Sequence, residues 1–307
     1  MSETIEHLRH KISSAGELKS VVRTLKALAA VSIGQYQQAV TSLVDYHRTV
    51  ELGLVACLGA ASDGPGPLFS RSGSVGPVGA LVFGSDQGLV GQFNERIAEH
   101  ALKVLAPHSG DRTQARAVGQ RVDADLRQRG FEVSERYAVP GSVAAITGLV
   151  TQILLDLEKE REAGRMQQLY LFHNRSIHGS IYEPTSGRLL PFDRRWHDEL
   201  TRIKWPSQMI PEVLGGDGST LPGLVREYLF VSLYRICAES LAAENACRLA
   251  AMQRAEKNID GMLDDLGESY NQRRQSEIDE ELFDLVSGYE ALMADEASMK
   301  RAVDNFN

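Results

Sequence analysis

The chain has 307 residues, of which 43% are apolar and 24% charged, with a net charge of −8. That balance excludes a disordered chain, a collagen-like repeat and a disulfide scaffold, and no apolar run approaches the roughly 20 residues needed to cross a bilayer. The excess negative charge belongs to the last segment: residues 222–307 carry 9 basic and 17 acidic side chains. An acidic segment repels phosphate backbones, so nucleic acid is not the expected partner.

The chain opens on Ser2, Glu3, Glu6, Arg9 and Lys11, which is not the apolar core of a signal peptide. Cys57, Cys237 and Cys247 cannot all pair and form no C-x-x-C clip, so a reducing compartment is expected. All ten prolines lie between Pro65 and Pro222. Proline inside a helix costs about 3 kcal/mol, so the proline-free ends are free to form very long helices.

Residues 1–59 read as the first of these. An apolar stripe runs through Ile5, Leu8, Ile12, Ala15, Val22, Leu25, Ala29, Ile33, Tyr36, Val40, Leu43, Val50 and Leu54, and Gly16 or Gly34 is expected to bend it. Residues 60–76, rich in Gly, Pro and Ser, read as a linker.

Residues 77–205 alternate between strand and helix. Val78 to Phe83 reads as a buried strand, followed by a helix over about 92–106 and a short strand from Ala115 to Val118. A helix then runs to Arg129, where Gly130 ends it. Phe131 to Val139 is strand-like, Ser142 to Lys159 helical, and Gln168 to His173 a further strand. Ile177 to Leu190 reads as a hairpin turning at Pro184-Thr185-Ser186-Gly187. The alternation predicts an α/β layer with a parallel core. A second linker is expected at 206–221.

In the last segment, 222–307, alternating steps of four and three from Leu224 meet Tyr228, Val231, Ala238, Ala242, Leu249, Met252, Ile259, Leu263, Leu266 and Tyr270. This is the 3.5-residue repeat of a coiled-coil seam, interrupted at Arg235, Asn245, Glu256 and Arg273. Neither terminal helix can leave such a stripe in water, so the two are expected to pair antiparallel. The predicted fold is therefore α/β with long helices: an antiparallel coiled coil of the N- and C-terminal helices, with a Rossmann-like α/β domain inserted between them. Counting back along that pair puts residue 5 opposite about residue 275. The C-terminal helix then overhangs with its own stripe of Ile278, Leu282, Leu285, Val286, Tyr289 and Leu292.

Chemistry is sparse. The feature most like a reaction site is the turn from Phe83 to Asn94, containing Ser85, Asp86, Gly88 and Gly91 between a strand and a helix. Such a turn can present backbone N–H groups to a phosphate. Its spacing is G-x-x-x-G-x-x-G rather than G-x-G-x-x-G, which favours a tight structural crossover and leaves a stand-alone nucleotide-binding α/β protein as the alternative function. His7 and His10, and His173 and His178, lack further ligands at metal-site spacing. No metal or cofactor is expected. Glu277, Asp279, Glu280, Glu281 and Asp284 read as a solvated face.

Ser85-Asp86-Gln87-Gly88-Leu89-Val90-Gly91-Gln92-Phe93-Asn94 resembles the S-D-x-G-L-x-G-x-x-N signature of the F-type ATP synthase gamma subunit. Phe230 to Ile259 is similar to that family's C-terminal helix, as is Tyr270 to Gln275 followed by Ile278, Glu281, Leu282 and Val286-Ser287-Gly288. Val21 to Ala30 is similar to its I-T-K-A-M-x-M-V-A-A. Ser32, Arg23-Thr24-Leu25 and Lys204-Trp205-Pro206-Ser207 depart from the family pattern and suggest a divergent bacterial branch, the alternative sodium-pumping type.

The resemblance implies a non-catalytic central rotor shaft that couples ion translocation in the membrane sector to ATP synthesis or hydrolysis. Its implied partners are a hexamer of alpha and beta subunits, the epsilon subunit and a ring of c subunits. It would lie peripherally at the cytoplasmic face of the bacterial plasma membrane, touching membrane only through the complex. On that reading Leu25, Ala29, Tyr36, Val40, Leu43, Val231, Ala238, Ala242, Leu249, Met252 and Ile259 form the coiled-coil core. Arg23, Leu25, Arg248, Ile278, Leu282, Leu285, Val286 and Tyr289 face the hexamer, and Ser85, Asp86, Gly88, Gly91 and Asn94 form a structural turn.

Overall fold

The computed structural model describes residues 4–60, 76–108, 113–177, 180–192, 194–209, 211–213 and 220–304. Residues 61–75 of the first expected linker lie outside these, as do 210 and 214–219 of the second and His178. The chain divides into two compact units, one of residues 1–25 with 252–307 and one of residues 26–251.

Two helices contribute to both units: α1 (Ile5–Ser42) and α7 (Thr220–Asp304). Pro222 falls in the first turn of α7, where its missing N–H has no intrahelical acceptor to lose. Burial along α1 returns every seventh residue, at Leu8, Ala15, Val22, Ala29 and Tyr36. Along α7 it returns at Val231, Ala238, Asn245, Met252 and Ile259. That is the repeat of a left-handed coiled coil, which keeps one face of a 3.6-residue helix inward by supercoiling.

In the first unit the helices run antiparallel. Ala15 and Val22 pack on Met252 and Ile259, with Leu25, Ala255 and Leu263 alongside. The seam is thin, and polar contacts flank it. Arg23 Nε donates to Glu256 Oε1 at 2.9 Å, Lys19 pairs with Asp260, and Arg9 Nη2 donates to the Tyr270 hydroxyl at 3.1 Å. Every step back along α1 is matched by an equal step forward along α7, so the register holds across the unit.

In the second unit α1 ends at Ser42 and a new helix, α2 (Val44–Ala60), begins after Leu43. The helix passes Gly16 and Gly34 without a break. One glycine costs a helix only about 1 kcal/mol. At the actual break Thr41 and Ser42 turn their hydroxyls onto the carbonyls of Gln37 and Gln38, and Leu43 N–H closes a tight turn on Val40 O. Back-bonding of this kind often bends helices, though Thr24, Thr49 and Ser269 bond back in the same way inside unbroken helix.

The remaining elements are β1 (Val78–Phe83), α3 (Phe93–Leu105), β2 (Thr113–Val118), α4 (Gln120–Gln128), β3 (Val133–Tyr137), α5 (Val143–Glu162), β4 (Gln168–Ile177), β5 (Ser180–Leu190) and α6 (Arg194–Thr201). The sheet order is β3-β2-β1-β4-β5, parallel except for β5. All six residues of β1 are buried, as befits a central strand covered on both faces. One face packs Ala80 and Val82 on Ile97 and Ala101 of α3 and on Val122 and Leu126 of α4. The other belongs to a core that joins Leu81 and Leu171 to Ile146 and Ile153 of α5, Leu54 of α2, and Leu233, Ala238 and Leu241 of α7. Gly130 takes φ +85°, closing the end of α4.

The hairpin expected within Ile177 to Leu190 is instead a single strand, β5, that pairs antiparallel with β4, and Pro184 to Gly187 are not a turn. They lie within β5, opposite Asn174 to Leu171 of β4. Because β5 is the sheet edge, a proline there can leave its N side facing outward without breaking the ladder. The helix α6 was not anticipated.

Beside the helix break, α2 and α7 meet through Gly53 against Leu224, the Tyr46 hydroxyl donating to Glu227, and His47 5.4 Å from the Tyr228 ring. Burial lowers the His47 pKa below its ordinary 6.5, Arg235 pushes the same way, and Glu51 opposes both. A histidine that protonates more readily unfolded than folded costs stability as pH falls. Stability therefore holds above about pH 6.5 and declines below it, and His47→Gln is expected to flatten that slope in urea titrations at successive pH values. In the coiled-coil unit, Ile259→Ala should cost about 2–4 kcal/mol and Ile278→Ala less than about 0.5 kcal/mol, read from hydrogen exchange of the α7 amides over residues 252–263.

Candidate functional site: the glycine-rich turn and the helix faces

The turn leaves the C-terminal end of the central parallel strand, where sheets of this kind receive phosphates. Here the chain fills the position itself. Asp86 accepts the N–H of Gln120, the first residue of α4, on Oδ1 at 2.8 Å. Its Oδ2 accepts the N–H of Val139 at 2.8 Å. A carboxylate at a helix N-terminus satisfies orphan donors and opposes the positive end of the helix dipole. A phosphate arriving there would meet that negative charge.

Ser85 and Asn94 close the other side. Ser85 N–H donates to Asn94 Oδ1 at 2.9 Å, Asn94 Nδ2 donates to Ser85 Oγ at 2.9 Å, and Ser85 Oγ donates to Gln87 O. No room remains at Gly84, where a Cβ would lie 2.4 Å from Val122 Cβ. At Gly119, with φ +118°, it would lie 2.7 Å from Ser85 O. Gly91 is also left-handed, at φ +61°, and Gly88 has no close neighbour beyond the end of Arg121. Val90 and Phe93 carry the turn onto Ala243 and Cys247 of α7, with Tyr182 beside them. The turn fastens the sheet to α7.

On α7 next to this junction, Glu244 is 5% exposed and accepts Arg248 Nη2 on Oε1 at 2.6 Å. Burial raises the Glu244 pKa; Arg248 opposes the shift and Asp86 adds to it. Arg248 Nη1 also donates to Asn245 Oδ1 at 3.3 Å, so this arginine is folded along its own helix. Arg23 reaches Glu256. Leu25 sits beside the seam, Ala29, Tyr36, Val231, Ala238, Ala242, Met252 and Ile259 are buried, and Val40, Leu43 and Leu249 are half-buried.

Past Tyr270, which faces Arg9, α1 supplies only one further turn, to Ile5. Beyond it Ile278, Leu282, Leu285, Val286 and Tyr289 are exposed, Leu285 by 71% and Tyr289 by 64%. The side chain of Leu292 lies outside the described residues. Phe283 and Met293 are exposed too, and the sequence reading missed them because they stand just off the stripe it followed.

A second set was also missed. Leu18 and Val21 in the first unit, and Leu28 and Val31 in the second, are all more than half exposed on α1. Their spacing of three, seven and three was readable, but it ran alongside the seam and was masked by it. Among the described residues, no group of three or more His, Cys, Asp or Glu side chains could hold a metal ion. His173 instead meets Glu239 at 3.0 Å. Among the described residues, no helix is long and apolar enough to cross a membrane.

Comparison with known proteins agrees with this layout. A family model described as ATP synthase matches residues 4–292. The ATP synthase gamma chain of Pelotomaculum thermopropionicum is 26% identical over 292 residues, covering 94% of this chain and 99% of that one. The gamma chain of Nitrosococcus oceani is 25% identical over 291 residues, with the same coverage. Among solved structures, a chain of the Euglena gracilis mitochondrial ATP synthase OSCP/F1/c-ring assembly in rotational state 3 superposes with a TM-score of 0.62 at 15% identity, over 95% of each chain. One from the rotor of the same enzyme in rotational state 1 gives 0.54 at 15% identity, over 89% of this chain and 98% of that one. These superpositions carry the fold: long terminal helices around a mixed five-stranded sheet. With the family match running from residue 4 to residue 292 and curated gamma chains aligned almost end to end, the chain belongs to the ATP synthase family, among its gamma chains.

Proposed function

We propose that this chain is the central stalk of a rotary ATP synthase, turning with ion flow in a membrane sector and imposing that rotation on a hexamer of alpha and beta subunits. The observation that carries the reading is the exposed apolar stripe on the α7 overhang, from Ile278 to Tyr289. Such a surface is out of place on a chain that works alone. It suits the bearing of a shaft seated in an apolar sleeve.

The subunit itself performs no reaction in this scheme. Phosphoryl transfer needs groups that cradle the phosphates and orient water, whereas the turn that would serve is filled by Asp86. Leu18, Val21, Leu28 and Val31 add apolar surface for the same sleeve. The α/β portion is assigned to the foot, with the epsilon subunit and the c ring. The stalk then stands at the cytoplasmic face of the bacterial plasma membrane, held there by the complex.

Leu285→Glu with Tyr289→Glu, or deletion of residues 278–307, is expected to leave cooperative unfolding of the isolated chain intact while assembly or coupling with alpha, beta and epsilon subunits falls at least tenfold. Normal assembly and coupling with either variant would overturn the bearing. The purified chain should hydrolyse no ATP; turnover that co-elutes with it and disappears when the Gly84–Gly91 turn is mutated would overturn the non-catalytic reading.

A further inference from the structure

A cavity of about 620 Å³ opens beside the helix break at Leu43 and shares no lining residue with the glycine-rich turn. One part of its wall is aliphatic: Val40, Leu43 and Val44 from the broken helix, Val231 from α7, and Ile203 from the segment after α6. Val44 is 59% exposed, a branched apolar side chain left in water at the wall of a cleft. The volume lies in the range of about 300–1,000 Å³ typical of small-molecule sites.

The charges around it are uneven in a telling way. Of the two carboxylates in the wall, Glu239 is paired by Arg235 at 2.9 Å and met by His173 at 3.0 Å, while Glu51 lies 3.5 Å from the His47 ring. Arg48 and Lys204 also line the cavity, yet neither has an ion-pair partner among the described residues. Burial keeps His47 biased toward its neutral form, so Glu51 keeps its charge; Arg48, Lys204 and Arg235 against Glu51 and Glu239 leave the wall an excess of one positive charge. A guanidinium and an ammonium are suited to a carboxylate or phosphate.

We infer that this cleft binds a small amphiphilic anion, an apolar body with one carboxylate or phosphate head, the body lying against Val40, Val44 and Val231 and the head held by Arg48 and Lys204. The inference is independent of the stalk reading. Both cations and Val44 are exposed, so substituting them leaves the core untouched.

The test uses the full chain, with the fluorescence of its two tryptophans, Trp196 and Trp205, as the readout, Trp205 being the neighbour of Lys204 in sequence. Laurate below its micelle-forming concentration should bind saturably at one equivalent, and dodecanol at least tenfold more weakly. Arg48→Ala with Lys204→Ala should weaken laurate binding at least tenfold and leave dodecanol binding unchanged. Val44→Glu should abolish both with circular dichroism unaltered. Dodecyl phosphate in place of laurate identifies the preferred head, and tighter binding of either anion supports the site. Equal affinity for laurate and dodecanol, laurate affinity unchanged in the double variant, uptake without saturation, or binding only to phosphatidylglycerol vesicles would each overturn it.

Discussion

Asp86 commits both carboxylate oxygens to backbone N–H groups from different elements, Gln120 at the start of α4 and Val139 beyond the end of β3. The crossover from β1 to α3 is thereby tied to the ends of both neighbouring βα units. With Ser85 and Asn94 bonded to one another beneath it, the turn holds Val90 and Phe93 in place against α7. Removing the carboxylate would leave two amides without their acceptor and one helix start without its counter-charge. Sheets of this topology are often built to hold a nucleotide at that position; this one is closed by its own side chain and holds a helix instead.

That arrangement explains why α7 is so rich in small residues at the junction. Ala238, Ala242 and Ala243 are all buried, and short side chains let the turn and the sheet approach the helix closely. Of the polar residues that interrupt the seam, three are hydrogen-bonded, and Arg273 has only a long ion pair, its Nε lacking a hydrogen-bond partner among the described residues. Arg235 meets Glu239, Asn245 donates to the Leu241 carbonyl, Glu256 takes Arg23, and Arg273 lies 3.9 Å from Glu277. A polar group in a seam is costly when its hydrogen bonds go unmet, so Arg235, Asn245 and Glu256 interrupt the apolar repeat at little cost.

Much of this was legible in the sequence because it depends on local rules. Proline-free length permitted α1 and α7, the seven-residue repeat marked their inner faces, and Gly130 ended α4. Where the reading failed, a side chain's context decided the outcome. Gly16 and Gly34 have open space around them and do not interrupt the helix, which instead ends at Thr41 and Ser42, ordinary residues in a list whose hydroxyls bond backward. Pro184 signals a turn until its strand is known to be the edge of the sheet. The role of Asp86 was legible only as part of a motif, since its two acceptor bonds span 34 and 53 residues. The cleft beside Leu43 was invisible to periodicity, because a helix break makes it.

The exposed overhang poses a last physical question, which is how a chain tolerates such a stripe in water. Alternating with Ile278, Leu282, Leu285, Val286 and Tyr289 are Glu277, Asp279, Glu280, Glu281, Asp284 and Glu290. Two copies laid side by side in parallel would bring these carboxylates together, and like charges facing one another are destabilising. The acidic flank therefore opposes self-pairing while keeping the helix solvated. It does not oppose a surface that is apolar at its centre and basic or neutral at its edge. Stripe and flank together select against a second copy of the chain and in favour of a different partner, and that selectivity is what the bearing of a rotating stalk requires.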